Sequence, residues 1–273
     1  MSDGLAVLRQ RARRGDPEAI FRLATKYYDG DGVRRDFRKA AAYYERGAGL
    51  RIPYFEWCLG MAYRRGQGVK LSLPKAAKYF RLAAEGGRPE AMTDLGALLW
   101  SGSGVRRSPR EAIHWYRRAG RLGQPVAWHN LAECYYSGTG VPKNQAKAFR
   151  YYVRAAELGH VGSAFKVGAA LLDGEGVRRQ PSAAISWLRK ASKQGDADAL
   201  QYLGLCYFNG YGVRRDPRKG VALYRRAAAL GVPQALYNLG LAYLHGVGVR
   251  RNRRTAERLV KRAGPGVKRS PGD

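Results

Sequence analysis

Acid is in short supply in this chain: 21 Asp and Glu stand against 50 Lys and Arg, a formal net charge of +29 over 273 residues. Histidine and cysteine are scarcer still, at four and three. His114, His129, His160 and His245 are scattered, with no Cys or acid at ligand spacing, which argues against a metal centre. Three cysteines are too few for a disulfide framework. No apolar run approaches the ~20 residues that a membrane span needs. Leu5-Ala6-Val7-Leu8 is too short for the core of a secretory leader, so we expect a cytoplasmic protein.

What the chain has in plenty is order. Gly-x-Gly-Val begins at Gly30 and returns at Gly66, Gly102, Gly138, Gly174, Gly210 and Gly246, each start 36 residues after the last. A fixed period of this length marks a stacked repeat array, in which each unit contacts its neighbours. The neighbouring columns repeat as well. Eleven residues before the first Gly stand Ala19, Phe55, Ala91, Ala127, Ser163, Ala199 and Ala235; seven before it, Leu23, Leu59, Leu95, Leu131, Val167, Leu203 and Leu239. Three before it come Tyr27, Tyr63, Leu99, Tyr135, Leu171, Tyr207 and Tyr243. This spacing is one face of a helix, helix A, and the Gly or Ala after each Leu lets another helix approach.

The loop ends one helix and opens the next. Its first Gly suits the left-handed position after a helix C-terminus, and its Val is expected to tuck under as a plug. Asp36, Ser72, Ser108, Asn144, Gln180, Asp216 and Asn252 follow; all but Gln180 are side chains that commonly cap a helix start. Pro109, Pro181 and Pro217 come next, where proline is tolerated. Helix B then carries a small residue, an aromatic or aliphatic pair such as Tyr43-Tyr44 or Trp115-Tyr116, and a terminal Gly at 87, 123, 159, 195 and 231.

These columns resemble the Sel-1-like repeat, a branch of the tetratricopeptide superfamily. Ala-x3-Leu-Gly-x2-Tyr-x2-Gly-x-Gly-Val-x2-Asp-x3-Ala reads through residues 199 to 220 with Gly220 as the departure. The period of 36 favours this branch over the about 34 of tetratricopeptide repeats proper. The resemblance implies an all-α, right-handed solenoid of antiparallel helix pairs that acts as an adaptor for other proteins. Some secreted members carry a cysteine pair in every repeat, and this chain departs from them. Cys134 and Cys206 lie two repeats apart, beyond disulfide reach, and Cys58 has no partner in its repeat, so all three are expected to be structural thiols.

Three segments follow. Residues 1–18 read as a lone capping helix, with Asp3 at its start; 19–264 hold the seven repeats; 265–273 are Pro, Gly and basic, expected to be disordered. At the start of repeat two, Phe55 replaces a small residue, which predicts a local kink or wider spacing, and Arg51 occupies the column of the helix-ending glycines.

Catalytic motifs are fragmentary. Ser72-x-x-Lys75 and Ser163-x-x-Lys166 fit the nucleophile motif of penicillin-recognising enzymes, and some Sel-1-like proteins have been linked to β-lactam binding. The companion Ser-Asp-Asn and Lys-Thr-Gly elements are absent, so capping and packing explain both serines and no enzymatic activity is expected. Asp29-Gly30-Asp31-Gly32 hints at a calcium loop, but the position that requires a bidentate Glu is Ala40. No Gly-Lys-Ser or Gly-Lys-Thr follows any Gly-x-Gly, so phosphate-loop chemistry fails too. No cofactor is expected.

The cations form two ladders. One ends the B helices at Arg46, Arg118, Arg154, Lys190, Arg226 and Arg262, where a cation favours the helix dipole. The other is Arg34-Arg35, Arg106-Arg107, Arg178-Arg179, Arg214-Arg215 and Arg250-Arg251, with Lys70 and Lys143 in the two remaining loops. Cations just before a helix start are mildly unfavourable, so this ladder has no evident structural reason. Solvated surface, an acidic protein partner and a phosphate backbone all stay open.

The expected activity is that of a monomeric scaffold whose protein partner lies along the concave A-helix face. The variable columns there supply Phe21, Arg22, Trp57, Cys58, Asp94, His129, Asn130, Glu133, Phe165, Lys166, Tyr202, Tyr237 and Asn238. Trp57 is the foremost anchor by type, tryptophan being enriched at hot spots; the alternative is that it fills the core of irregular repeat two. RNA binding through the basic ladders is the rival reading. The A-helix columns lack the uniform two- or three-residue chemistry of repeats that read bases.

Overall fold

The computed structural model describes residues 2–264, with side chains from residue 4 onward, so Asp3's capping role and the 265–273 tail lie outside the described residues. The described residues form fifteen helices and no strand. α1 is Ser2–Arg13. The A helices are α2 Pro17–Asp29, α4 Pro53–Arg65, α6 Pro89–Ser101, α8 Pro125–Ser137, α10 Val161–Asp173, α12 Ala197–Asn209 and α14 Pro233–His245. The B helices are α3 Phe37–Ala48, α5 Leu73–Glu85, α7 Pro109–Arg121, α9 Gln145–Glu157, α11 Pro181–Lys193, α13 Pro217–Ala229 and α15 Arg253–Ala263. The chain falls into two compact units, Met1–Cys134 with Gly138–Pro142, and Tyr135–Ser137 with Lys143–Asp273. Among the described residues no helix is long and apolar enough to cross a membrane.

Each unit is built from A and B helices packed as antiparallel pairs. The Leu column is the centre: Leu23, Leu59, Leu95, Leu131 and Val167 are almost fully buried, each worth ~1.5–3 kcal/mol of transfer free energy. The small residue after it sets the distance between helices. A Cβ on Gly96 would strike the Tyr116 ring, and one on Gly204 the Tyr224 ring. The same complementarity explains Phe55. Its ring lies over Gly47, which stands where later repeats have Ala, so the space comes from the facing helix and the bulky residue ends 3% exposed.

The loop glycines perform different tasks. Gly174 caps α10 at φ 83°, its N–H donating to the Ala170 carbonyl. Gly176, at φ 70°, lies so close to the start of α9 that a Cβ would collide with the Gln145 backbone. The equivalent glycines of repeats two, three, six and seven press on the backbone of the preceding B helix in the same way, and Gly140 of repeat four presses chiefly on the Pro109 and Ile113 side chains. The loop valines are half-buried and not the full plugs expected, although Val33 and Val249 do pack on their local cores.

Caps follow the sequence in five of seven B helices. Asp36, Ser72, Asn144, Asp216 and Asn252 accept from the amide three residues on. Ser108 and Gln180 make no such bond; Pro109 and Pro181 have removed one of the amides that need satisfying. The Ser-x-x-Lys serines are both structural in their contacts. Ser72 is a cap, and Ser163 is fully buried with its Oγ 2.9 Å from His160 Nδ1, which also accepts from the Ser163 amide. The three cysteines are buried, and burial pushes the thiols up, to about 11 for Cys58 and about 12 for Cys134 and Cys206.

Candidate partner-binding face

Between two successive A helices and the intervening B helix there is a hollow, and it recurs at the same columns. At the first junction it measures about 280 Å³ and is lined by Tyr28, Phe37, Tyr44, Tyr54, Trp57, Met61 and Arg65 among others. Three repeats on, about 250 Å³ is enclosed by Tyr136, Phe149, Tyr152, Phe165, Lys166, Asp173 and Tyr202. Five repeats on, about 400 Å³ lies against Phe208, Tyr224, Asn238, Leu241 and His245. In the first two, a tyrosine on helix A donates to the middle residue of the next Gly-x-Gly: Tyr28 to Gln67 Oε1 and Tyr136 to Glu175 Oε2, both at 3.3 Å.

The three hollows differ in chemistry. In the first, burial raises the Cys58 thiol to about 11 and the Tyr54 phenol to about 12, so the walls are neutral at physiological pH and charge sits only at Arg65 and Asp29. In the second, Lys166 Nζ lies 5.8 Å from the Tyr136 ring centre, and burial raises the Asp173 carboxyl. In the third, Asn238 is only 6% exposed; its Oδ1 accepts from Gln234 at 3.1 Å while its Nδ2 is buried without an acceptor.

The residues singled out from sequence divide accordingly. Trp57 is half-buried and held: its Nε1 donates to Asp94 Oδ2 at 2.8 Å, and the Arg88 guanidinium sits 4.6 Å from its ring. Asp94 also takes Arg64 at 2.7 Å. Phe21 meets Tyr54 edge-on at 5.2 Å and is partly core. Arg22 is exposed and paired with Glu18 on its own helix. His129 and Glu133 lie 3.9 Å apart one turn from each other, and Asn130 hydrogen-bonds the Tyr116 phenol. Phe165 and Tyr202 form an edge contact at 5.1 Å. Tyr237 is half-buried, whereas Cys58 and Asn238 are buried. The structure adds Tyr28, Tyr54, Met61 and Tyr136. Tyr28 and Tyr136 share a column that also holds Trp100 and Phe208, a recurrence of aromatics beside the core Tyr column, whereas Tyr54 and Met61 stand in columns with no such pattern.

The loop arginines correct the sequence reading, because four of the ten paired arginines have a structural reason. In four of the five pairs the second arginine turns back onto the preceding A helix: Arg35 to the Asp29 carbonyl, Arg107 to Trp100, Arg179 to Leu172 and Arg215 to Phe208, at 2.7–3.3 Å. A cation there caps orphan carbonyls at the negative end of the dipole. The first arginines, Arg34, Arg106, Arg178, Arg214 and Arg250, and the partner residue Arg251 are exposed. The B-helix ladder reaches backward too. Arg46 donates to the Arg13 carbonyl at the end of α1, and Lys190 to the Ala156 carbonyl near the end of α9. Among the described residues no three His, Cys, Asp or Glu are grouped to hold a metal ion.

Known proteins place this architecture. The Sel1 repeat signature matches residues 17–50, 57–87, 89–124, 125–160, 161–196, 197–232 and 233–264. A protective antigen of uropathogenic Escherichia coli strains, with an SLR fold, superposes with a TM-score of 0.88 at 28% identity over 95% of this chain. The chain spans only 56% of that antigen's length. A Sel1 repeat protein from Oxalobacter formigenes superposes with a TM-score of 0.75 at 29% identity, covering 88% of this chain and 97% of the other. No curated protein matches the sequence. Sel1 repeat proteins are generally protein–protein interaction scaffolds. With its signature matched from residue 17 to 264 and its helix pairs in the same arrangement, the chain belongs to the Sel1 repeat family.

Proposed function

We propose that this protein is a non-enzymatic scaffold that holds a protein partner along the A-helix face, one partner side chain per junction hollow. The observation that carries this reading is the recurrence of one hollow at three junctions with three different linings. Repetition of shape with variation of chemistry suits partner side chains that differ from one hollow to the next. The first hollow favours a large apolar side chain, for aromatic walls around a fixed tryptophan are the kind of site where binding energy concentrates. Fixing the indole through Asp94 and Arg88 lowers the ordering cost of capture. Nucleic acid is the weaker reading, since four of the ten paired loop arginines are engaged by the chain's own carbonyls.

A displayed peptide library selected on the full chain tests this. Met61, half-buried in the first hollow, can be replaced to obstruct it: Met61→Arg is expected to weaken the selected peptides about tenfold or more while leaving melting close to wild type. Selected sequences should share an apolar anchor. Equal binding to wild type and Met61→Arg, or binders that vanish with nuclease, would count against the scaffold reading.

A further inference from the structure

A second set of columns gathers charge away from those hollows. In repeat six, Arg189 donates to the Tyr207 hydroxyl at 2.7 Å, and Lys219 Nζ stands 4.1 Å from the centre of the same ring. Arg214 and Arg218 line the same hollow, of about 650 Å³. In repeat one the equivalent residues are Arg9, Tyr27 and Lys39, five repeats earlier: Arg9 donates to the Tyr27 hydroxyl at 2.9 Å and Lys39 Nζ lies 5.3 Å from its ring. That hollow measures about 520 Å³.

Repeat three shows what this place accepts. There the tyrosine is Leu99, the lysine is Glu111 and the arginine is Arg81, and the guanidinium binds the Glu111 carboxylate at 2.7 Å. The chain itself thus puts a carboxylate against this arginine in one repeat. In repeat six a second cation takes its place. Among the described residues neither Arg189 nor Lys219 has a carboxylate partner; both converge on a phenol, and the Lys219 and Arg189 hydrogen bonds hold that phenol below its ordinary value. Asp216 is near, but its carboxylate caps α13 through the Lys219 amide. In repeat one Lys39 has a long 3.5 Å contact to Asp36, so that hollow is the weaker of the two.

We propose that the Arg189–Tyr207–Lys219 hollow, and more weakly the Arg9–Tyr27–Lys39 hollow, bind carboxylate side chains of an acidic polypeptide segment. An incoming carboxylate would take the position that Glu111 holds against Arg81, accepting from guanidinium and ammonium together, the stronger class of hydrogen bond. The positive field of the chain would hasten capture. A polypeptide carboxylate is favoured over a nucleic-acid phosphate because repeat three supplies the former as a working example. This proposal is independent of the A-helix hollows, which use other residues.

The test is binding of a fluorescent peptide of alternating Glu and Gly to the full chain, with the Gln-for-Glu peptide and a single-stranded oligonucleotide as competitors. Lys219→Glu with Lys39→Glu rebuilds the charge pattern of repeat three, so the fold should be retained and the hollows closed. We expect affinity for the acidic peptide to fall about tenfold or more in the double variant, unchanged melting, and no competition by the Gln peptide. If charge reversal lowers the melting point, Lys219→Gln with Lys39→Gln gives the same reading by removing charge alone. Absence of saturable binding at low salt, equal affinity in both forms, or displacement by the oligonucleotide at lower concentration than by the unlabelled acidic peptide would overturn the proposal. The probe has no apolar residue, so Met61→Arg leaves its binding untouched whatever the fate of the A-helix face.

Discussion

Every repeat makes two turns, and the chain treats them differently. The A-to-B loop keeps Gly-x-Gly-Val in all seven repeats, whereas the B-to-A turn has Gly at 15, 87, 123, 159, 195 and 231 and Arg at 51. Both turns need a left-handed residue: Gly195 has φ 89°, and Arg51, the one non-glycine with positive φ among the described residues, has φ 57°. Surroundings separate them. A Cβ on Gly195 would meet nothing within 4 Å, but one on Gly176 would run into the backbone of the previous repeat. A conformational demand alone can be met at modest cost by another residue, as Arg51 shows. Combined with contact between main chains, it leaves no room for substitution.

Gly176→Ala should be the most damaging change that sharpens this contrast. It combines left-handed strain with a clash against backbone that cannot rotate away, and should destabilise by roughly 3 kcal/mol or more. Denaturant midpoints read at both ends of the chain would register it, since repeat arrays can lose cooperativity. Gly195→Ala, with the same backbone requirement and open space, should cost about 1 kcal/mol. If the two variants unfold at the same denaturant concentration, close approach is not what distinguishes the turns. The smallest effect has the opposite sign: Arg51→Gly should stabilise by ~0.5–1 kcal/mol, because the strain is relieved and Arg51 is exposed. An unchanged or lowered melting point would mean that the arginine side chain compensates for its backbone.

The helices, their pairing and most caps were legible because they depend on spacing within one repeat. Asp36 and its equivalents sit one residue before a helix and need only that helix to act. The arginine pairs were misread for the complementary reason. Their position before a B helix was plain in sequence, but their side chains run backward to the A helix, as Arg179 does to the Leu172 carbonyl. Contacts that join repeats, such as Trp57 with Asp94, leave no local pattern at all. Between these extremes lies the Arg189–Tyr207–Lys219 set. Its signal was present as a coordinated change, Leu99 appearing together with Glu111, and it emerges only when columns are compared in pairs.

The contact between Gly176 and the start of α9 has one more consequence. A joint formed by peptide backbone is the same whatever side chains surround it, so a 36-residue block cut at its loop glycines ends in fittings that match any other block. Duplication or loss of a whole block then preserves the backbone joint on either side, though not side-chain contacts such as Trp57 with Asp94. Each new copy arrives with a hollow already shaped and with lining residues free to diverge, which is how one junction can hold Trp57 and another Lys166 without either altering how its neighbours meet.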